Sequence, residues 1–174
     1  MTKENIKEIT LEILREVLNY NSESGFFTWN VMTGRRNRVG SVAGTISSRG
    51  YVKIKVLGKA YYAHRLAWLY FYGDWPNGEI DHVNRIRSDN KIRNIRLASR
   101  SENLCNKTIQ KNNILKIKGV SKCAQGKDRP FYSRITKNGN RVYLGSFGTI
   151  EEASFAYKVA AQTMHGDFCV KGDL

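Results

Sequence analysis

Hydrophobic residues follow two different spacings in the first 75 residues of the chain. Residues 11–20 carry them at helical spacing, with Thr10 in front as an N-cap, and this pattern predicts a short amphipathic helix. Residues 51–56 alternate apolar side chains with lysines, which predicts a strand with one basic face. Helical spacing returns at residues 64–73, so a core helix is expected to follow the strands.

The segment 79–103, EIDHVNRIRSDNKIRNIRLASRSEN, predicts a strand, a polar loop, a second strand and a helix in that order. Ser99 and Glu102 have the spacing of a capping box, which marks the start of the helix. Polar side chains are dense around the predicted loop, and they include an adjacent acid and histidine.

The last third of the chain predicts a small sheet that packs on one helix. Two alternating stretches flank Asn138-Gly139, which is the strongest short hairpin signal. A long helix follows, with Thr149 and Glu152 as its capping box and Gly166 at its end.

These elements predict an α+β protein with two domains. We expect an N-terminal domain over residues 1–107, whose strand–loop–strand–helix unit covers about 79–107. A basic linker over 108–118 would lead to a domain at 119–174, built as a three-stranded antiparallel sheet on one helix.

Positive charge is concentrated in the middle of the sequence. The net charge is +14, and residues 82–141 hold 16 basic and three acidic residues. Asparagines, serines and glycines interrupt this span, so nucleic acid is a better partner for it than a membrane surface. Long apolar runs and a secretory signal are missing, so we expect a soluble, intracellular protein. Cys105, Cys123 and Cys169 lack paired spacing, and we expect free thiols.

Hydrolysis of a phosphodiester needs a base for water, a cation at the phosphate and basic groups that hold the backbone. Asp81 and His82 are neighbours on a predicted strand, so one can face a metal while the other faces a water. Asn103, at the start of the next helix, can offer an amide oxygen to the same cation. Oxygen ligands that leave several positions open suit Mg²⁺ or Mn²⁺. Asn94 precedes the second strand, where it can brace the loop and orient the His82 ring.

The same stretch resembles the HNH motif of phage and intron-encoded homing endonucleases, and AHRLAWLYFYGDWPNGEIDH in front of it adds to the resemblance. This resemblance implies a ββα-metal fold and one divalent ion that serves to cut or nick DNA. It implies that Asp81 and Asn103 bind the metal, that His82 is the general base and that Asn94 supports the histidine.

Two features distinguish the sequence from the HNH pattern that it resembles. Arg85 stands where many members carry glycine, which leaves the catalytic assignments intact but changes the loop. The additional metal histidines of the zinc-binding, colicin-type branch are missing, so the resemblance favours Mg²⁺ or Mn²⁺. It covers about residues 60–107.

The C-terminal stretch resembles the Apetala-type DNA-binding domain of plant ethylene-response factors, in which a three-stranded sheet lies in the major groove. RVYLGSF carries the resemblance, and it implies that Arg141 and Tyr143 contact DNA. Arg134 occupies another exposed strand position, and Tyr132 stands near the tryptophan often found in that family.

The hypothesis that unites these observations is a site-specific DNA endonuclease of the homing type. The side chains expected to hold the DNA backbone near the active site are Lys53, Lys55, Arg85 and Arg87. One active site on a monomer predicts a nick in double-stranded DNA, made in the cytoplasm of a bacterial host if the gene is phage-encoded. A transcription regulator that binds DNA without cutting it explains the charge equally well, and an RNA-binding protein remains a third alternative.

Overall fold

The computed structural model describes residues 9–34, 37–107, 109, 112–123 and 128–169. The chain divides into two compact units, one ending at Leu97 and the other beginning at Ala98. This division falls earlier than the domain boundary expected at residue 107. The boundaries at 107 and 118 stay predictions, and part of the expected linker lies outside the described residues.

The first unit begins with a helix and a hairpin. Helix α1 (Leu11–Val17) is capped by the Thr10 side chain, and it leads directly into β1 (Leu18–Tyr20), which pairs with the antiparallel strand β2 (Phe27–Trp29). The expected helix over residues 11–20 is therefore too long by three residues. The last apolar side chains of this segment belong to strand β1 instead. Leu18 and Tyr20 are buried and alternate with the exposed Asn19, as in a strand with one buried face.

A three-stranded antiparallel sheet and a helix complete the core of this unit. The sheet contains β3 (Thr45–Ile46), β4 (Val52–Val56) and β5 (Lys59–Tyr62), in that order. Helix α2 (Ala63–Tyr72) follows and ends at Gly73, whose φ of 91° lies in the left-handed region that glycine adopts without strain. The largest side chains of this unit with almost no exposed surface are those of Leu14, Leu18, Phe27, Ile54 and Leu66.

The expected strand–loop–strand–helix order is present. Strand β6 (Glu79–His82) pairs with β7 (Ile95–Ala98), and the loop between them ends in a single 3-10 turn at Ile92–Asn94. Helix α3 (Arg100–Asn106) then opens with the predicted capping box of Ser99 and Glu102.

The second unit is a three-stranded antiparallel sheet that packs on one long helix, as the sequence predicts. Strands β8 (Val120–Lys122), β9 (Phe131–Lys137) and β10 (Asn140–Phe147) form the sheet with β9 in the centre. Helix α4 (Ile150–His165) covers its inner face and carries the Thr149 and Glu152 capping box. The core of the unit includes Ile135, Tyr157 and Ala161.

The cysteines differ from expectation. Cys105 of α3 and Cys169, which follows a 3-10 turn at Gly166–Phe168, form a disulfide with a Cα–Cα distance of 5.6 Å, and Cys123 is free and exposed. The prediction of three free thiols is therefore wrong, because 64 positions separate two residues that the fold brings together. No helix in the described part of the chain is both long and apolar enough to span a membrane.

Candidate active site

Strand β6 places an acid and a histidine side by side at its end. Asp81 and His82 are each 4% exposed, and as neighbours on a strand they point to opposite faces. The Asp81 carboxylate forms an ion pair with the Arg96 guanidinium on β7. Arg96 Nε donates a hydrogen bond to Asp81 Oδ2 at 3.0 Å, and Arg96 Nη2 lies 2.9 Å from the same oxygen. The pair compensates a negative charge that would be costly to bury alone.

His82 lies among rings and amides on its own face of the strand. Its Nε2 is 3.2 Å from Oδ1 of Asn90, and its ring meets His64 edge-on with centroids 5.1 Å apart. The Tyr51 ring lies 6.0 Å away. Burial lowers the pKa of His82, and the hydrogen bond with Asn90 opposes this effect more weakly. His82 is therefore neutral at neutral pH, as a general base must be.

His64, at the start of α2, completes this cluster of rings. Burial, followed by the charges of His82 and Arg65, lowers the pKa of His64 to about 3. Its Nδ1 is buried and has no hydrogen-bond partner among the residues that the structure describes. The ring stacks on Tyr62 at 5.4 Å. His64 thus packs between the rings of Tyr62 and His82.

The loop between β6 and β7 is held by the Asn94 side chain. Asn94 Oδ1 accepts from the backbone N–H of Asn84 at 3.0 Å, and its Nδ2 donates to the Asn84 side chain at 3.0 Å and to the Asp89 carbonyl at 2.7 Å. Asn94 therefore holds the loop through these three hydrogen bonds. The side-chain amide within hydrogen-bond distance of the His82 ring is that of Asn90, a residue that the sequence did not single out.

Arg85 adopts a backbone conformation that explains why glycine suits its position. Its φ is 63°, and its N–H donates to the His82 carbonyl at 2.9 Å to close a turn. L-residues other than Asn and Asp rarely adopt this left-handed region, whereas glycine does so at little cost. The turn that follows His82 is therefore built with some strain at Arg85.

Basic side chains line the same unit. Lys53 and Lys55 are exposed on β4, opposite the buried Ile54 and Val56, as the alternation predicts. The Lys53 ammonium lies 5.0 Å from the centroid of the Tyr62 ring. Arg87 is exposed as well, and its guanidinium donates to the Arg49 carbonyl at 2.9 Å while it covers Tyr51 at 5.0 Å. Arg87 thus ties the β3–β4 turn to the loop next to His82.

Asn103 lies on α3 in the second unit, directly after the capping-box residue Glu102, and its side chain is half-buried. Its N–H donates to the Ser99 carbonyl at 2.9 Å, so the backbone at this position is fixed by regular helix geometry.

The outer face of the C-terminal sheet carries the four side chains predicted to contact DNA. Tyr143 is opposite Arg134 in the register of β9 and β10, and Arg141 is opposite Thr136. The Arg134 guanidinium lies 5.5 Å from the centre of the Tyr132 ring. Together with Cys123 and Ser146, Tyr132, Arg134, Arg141 and Tyr143 line a shallow depression of about 410 Å³. Ser133 and Ile135 point the other way and are buried, as the alternation predicts.

Sequence reasoning missed three partners of the candidate catalytic pair, namely Asn90, Arg96 and Tyr51. Asn90 and Arg96 both lie inside the segment 79–103, but one asparagine or arginine among several carries no signal that singles it out. Tyr51 is 31 positions from His82, and only the fold brings the two rings together.

Comparison with known proteins gives a family match. Residues 61–105 match the model described as "HNH endonuclease". A solved structure described as "DNA binding and cleavage by the HNH homing endonuclease I-HmuI" aligns with a TM-score of 0.45 and 18% identity, over 94% of this chain and 93% of that one. No curated protein gives a significant match. Asp81, His82, Asn94 and Asn103 therefore all lie in a segment that matches an HNH endonuclease domain, and this match supports a DNA-cleaving hydrolase.

Proposed function

We propose that the protein is a metal-dependent, site-specific endonuclease of the homing type that nicks duplex DNA. The observation that carries the proposal is the buried Asp81–His82 pair at the end of β6, inside the segment that matches the HNH model. The two side chains face opposite sides of one strand, so one can serve a cation and the other a water. Residues 82–141 have a net charge of +13, which suits a polyanionic substrate such as DNA.

His82 would act as the general base. A neutral imidazole can take a proton from water as that water attacks phosphorus, and burial, which lowers the pKa, keeps His82 neutral at working pH. Asn94 would keep the loop in place, so that the end of β6 does not move when DNA binds.

Asp81 and Asn103 would hold the divalent cation. A carboxylate and an amide are hard oxygen donors, which fit Mg²⁺ or Mn²⁺ better than zinc. When bound, one such ion would supply positive charge for the phosphate and for the 3′ oxygen that departs. Arg96 already compensates Asp81, so the guanidinium and the cation would share one carboxylate.

Target recognition would be divided between the two units. Lys53, Lys55, Arg85 and Arg87 would hold the phosphate backbone near the cleavage site, without reading sequence. The Apetala-like C-terminal sheet would read bases through Arg134, Arg141, Tyr132 and Tyr143. We propose further that the protein acts as a monomer, which would produce nicks, in the cytoplasm of a bacterial host.

The activity is tested with supercoiled plasmid that contains a randomised insert library. The wild-type protein is expected to convert the plasmid to the open-circular form in Mg²⁺ or Mn²⁺ and to stop when the metal is chelated. His82→Ala is expected to lose at least about 100-fold in rate, because a general base contributes about 10²–10⁴-fold, while it binds DNA normally in a gel shift. Cleavage by His82→Ala at the wild-type rate would refute the assignment.

A DNA-binding regulator that does not cleave is the second candidate function. The Arg96–Asp81 pair favours it, because a carboxylate already compensated by a guanidinium does not need a metal for stability. A gel shift without nicks, in every metal tested, would support the regulator over the nuclease.

A further inference from the structure

The side chain of Asn90 bridges the His82 ring and the loop backbone. Asn90 is 2% exposed, its Oδ1 is 3.2 Å from His82 Nε2, and its Nδ2 donates to the Ser88 carbonyl at 3.2 Å. A carbonyl oxygen can only accept a hydrogen bond, so the end of the amide that faces Ser88 must be the NH₂ group. The oxygen of the amide therefore faces the histidine.

This orientation determines which ring nitrogen carries the proton. Neutral imidazole has one N–H and one unprotonated nitrogen, and an amide oxygen can pair only with the N–H. Nε2 of His82 must then be protonated, which leaves Nδ1 without a proton. A base acts through its unprotonated nitrogen, so the amide of Asn90 selects Nδ1 as the proton acceptor.

Asn90 is itself held by the N-terminal hairpin. The hydroxyl of Tyr20 donates to the backbone carbonyl of Asn90 at 2.7 Å, and the backbone N–H of Ile92 donates to the backbone carbonyl of Ser22 at 3.2 Å. Burial raises the pKa of Tyr20, so the hydroxyl remains a donor. Gly25 lies so close to this backbone that a Cβ there would be 2.5 Å from the Lys91 nitrogen.

We propose that Asn90 is a positioning residue that fixes neutral His82 as the Nε2–H tautomer and leaves Nδ1 to accept the proton of the attacking water, and that residues 20–25 hold Asn90 in place. The catalytic part rests on the proposed function of His82 as the base. The tautomer itself is a property of the folded protein without metal or DNA, and it can be measured separately.

The first experiment reads the tautomer by ¹⁵N NMR of the histidine rings in metal-free, full-length protein at pH 7.5. The chain has three histidines, and the signal that disappears in His82→Gln identifies His82. We expect the wild type to show a protonated Nε2 and an unprotonated Nδ1, and Asn90→Ala to show a mixture of both tautomers. A wild-type ring protonated on Nδ1, or a pattern unchanged in Asn90→Ala, would overturn the inference.

The second experiment separates positioning from folding through the kinetics of plasmid nicking. Asn90→Ala is expected to lower kcat by about 10–100-fold, which is the effect of a misplaced reacting group, with KM for DNA changed less than about twofold. Asn90→Leu keeps the volume of the side chain without its amide and is expected to be as slow as Asn90→Ala. Equal rates for the wild type and Asn90→Ala, or a Leu variant as fast as the wild type, would contradict the proposal.

The hairpin is tested with a matched pair of tyrosine variants. Tyr20→Phe removes the hydroxyl that donates to the backbone carbonyl of Asn90. We expect a smaller loss of kcat than in Asn90→Ala, because the Asn90 side chain itself is still present. Tyr61→Phe removes a buried hydroxyl of the same unit whose partner is the Ile9 N–H, and it should leave kcat unchanged. Equal losses in both variants would show a general loss of packing and would contradict a role for the hairpin.

These experiments distinguish failure of the inference from failure of the nuclease function. A wild-type protein that does not cleave DNA would overturn the function and the catalytic part of the inference, while the ring shifts would still decide the tautomer. A wild type that cleaves while His82 is protonated on Nδ1 would overturn the inference alone.

Discussion

At the scale of single residues, burial determines the behaviour of the two histidines of the first unit. His64 and His82 lie edge to face with centroids 5.1 Å apart, and both are nearly inaccessible to water. A positive charge on either ring would be desolvated and would repel a charge on the other, so burial keeps both neutral. The same burial is expected to make the folded protein less stable in acid.

The first prediction concerns stability at low pH. The pKa of His64 is about 3 in the folded protein and about 6.5 when unfolded, so the unfolded state binds more protons between these values. The contribution of His64 to stability is complete above pH 6.5 and falls by up to about 1.4 kcal/mol for each pH unit below it.

The measurement is urea unfolding of wild type and His64→Phe from pH 8 to pH 4. The phenylalanine variant keeps a ring at the position and should lose less stability as the pH falls. Parallel curves for the two proteins would contradict this prediction.

The second prediction concerns Arg96. Replacement by methionine keeps most of the side-chain volume but leaves the Asp81 carboxylate buried without its guanidinium, which is expected to cost about 1–3 kcal/mol of unfolding free energy. If Asp81 binds a cation, added Mg²⁺ should restore part of the unfolding free energy that the variant loses. Thermal unfolding with and without 10 mM Mg²⁺ measures both effects.

A larger Mg²⁺-dependent rise in Tm for Arg96→Met than for wild type is expected, because no guanidinium competes for the carboxylate. Asp81→Asn combined with Arg96→Met is the control and should not respond to the metal. Equal responses of all three proteins would argue against Asp81 as a ligand.

At the scale of elements, the polar loop between β6 and β7 shows the most about how the site is built. Its ends are fixed by the two paired strands, and its interior is filled by amides of asparagine instead of apolar side chains. The side chains of Asn90 and Asn94 form hydrogen bonds with partly buried backbone groups of the loop, which would otherwise lack these partners. Such a loop can be rigid although it contains no regular secondary structure of useful length.

The third prediction concerns the strained turn at Arg85. Arg85→Gly should raise the unfolding free energy by up to about 1 kcal/mol, because glycine adopts the observed φ of 63° without strain. If Arg85 contacts a phosphate, the same change should reduce the salt dependence of DNA binding by about one counterion.

Urea unfolding and DNA binding as a function of salt measure the two effects separately. Arg85→Lys is the matched control, since it keeps the charge and the strained backbone, and it should behave like the wild type in both. A stability of Arg85→Gly that falls below the wild type would show that the arginine side chain contributes more than the strain costs.

At the scale of the whole molecule, the two units suggest separate tasks. The first unit carries the Asp81–His82 pair, and the second carries an exposed sheet face rich in arginine and tyrosine. The Apetala-like assignment of that sheet face is a proposal, and it predicts that catalysis and target choice respond to different substitutions.

The fourth prediction tests this division in the full chain. Arg141→Ala should weaken binding to the preferred site by about 1–3 kcal/mol and relax sequence preference, while the rate of cleavage at saturating DNA stays close to wild type. Lys158→Ala, on the α4 helix that covers the other side of the sheet, removes the same charge and should have little effect on preference.

Sequencing of the cut ends from a randomised library measures preference, and a binding titration measures affinity. If Lys158→Ala and Arg141→Ala weaken binding equally, and neither alters preference, the sheet attracts DNA only through its total charge.

The fold could be predicted from sequence to a large extent because its signals are local. The capping boxes at Ser99 and Thr149 and the hairpin turn at Asn138-Gly139 each involve residues within a few positions of one another. Helix α1 was the exception, since Leu18 continues the helical spacing while the chain already pairs with β2. There, pairing with a distant strand overrode local propensity.

The sequence by itself determined the order of the elements, the basic central span and the position of the candidate catalytic pair, since each depends on neighbouring residues. Only the tertiary structure decided which partners those residues have, namely Asn90 and His64 for His82, Arg96 for Asp81 and the bond between Cys105 and Cys169. The physical reason is that capping and alternation are set by backbone geometry over a few residues, whereas these contacts depend on how separate elements pack.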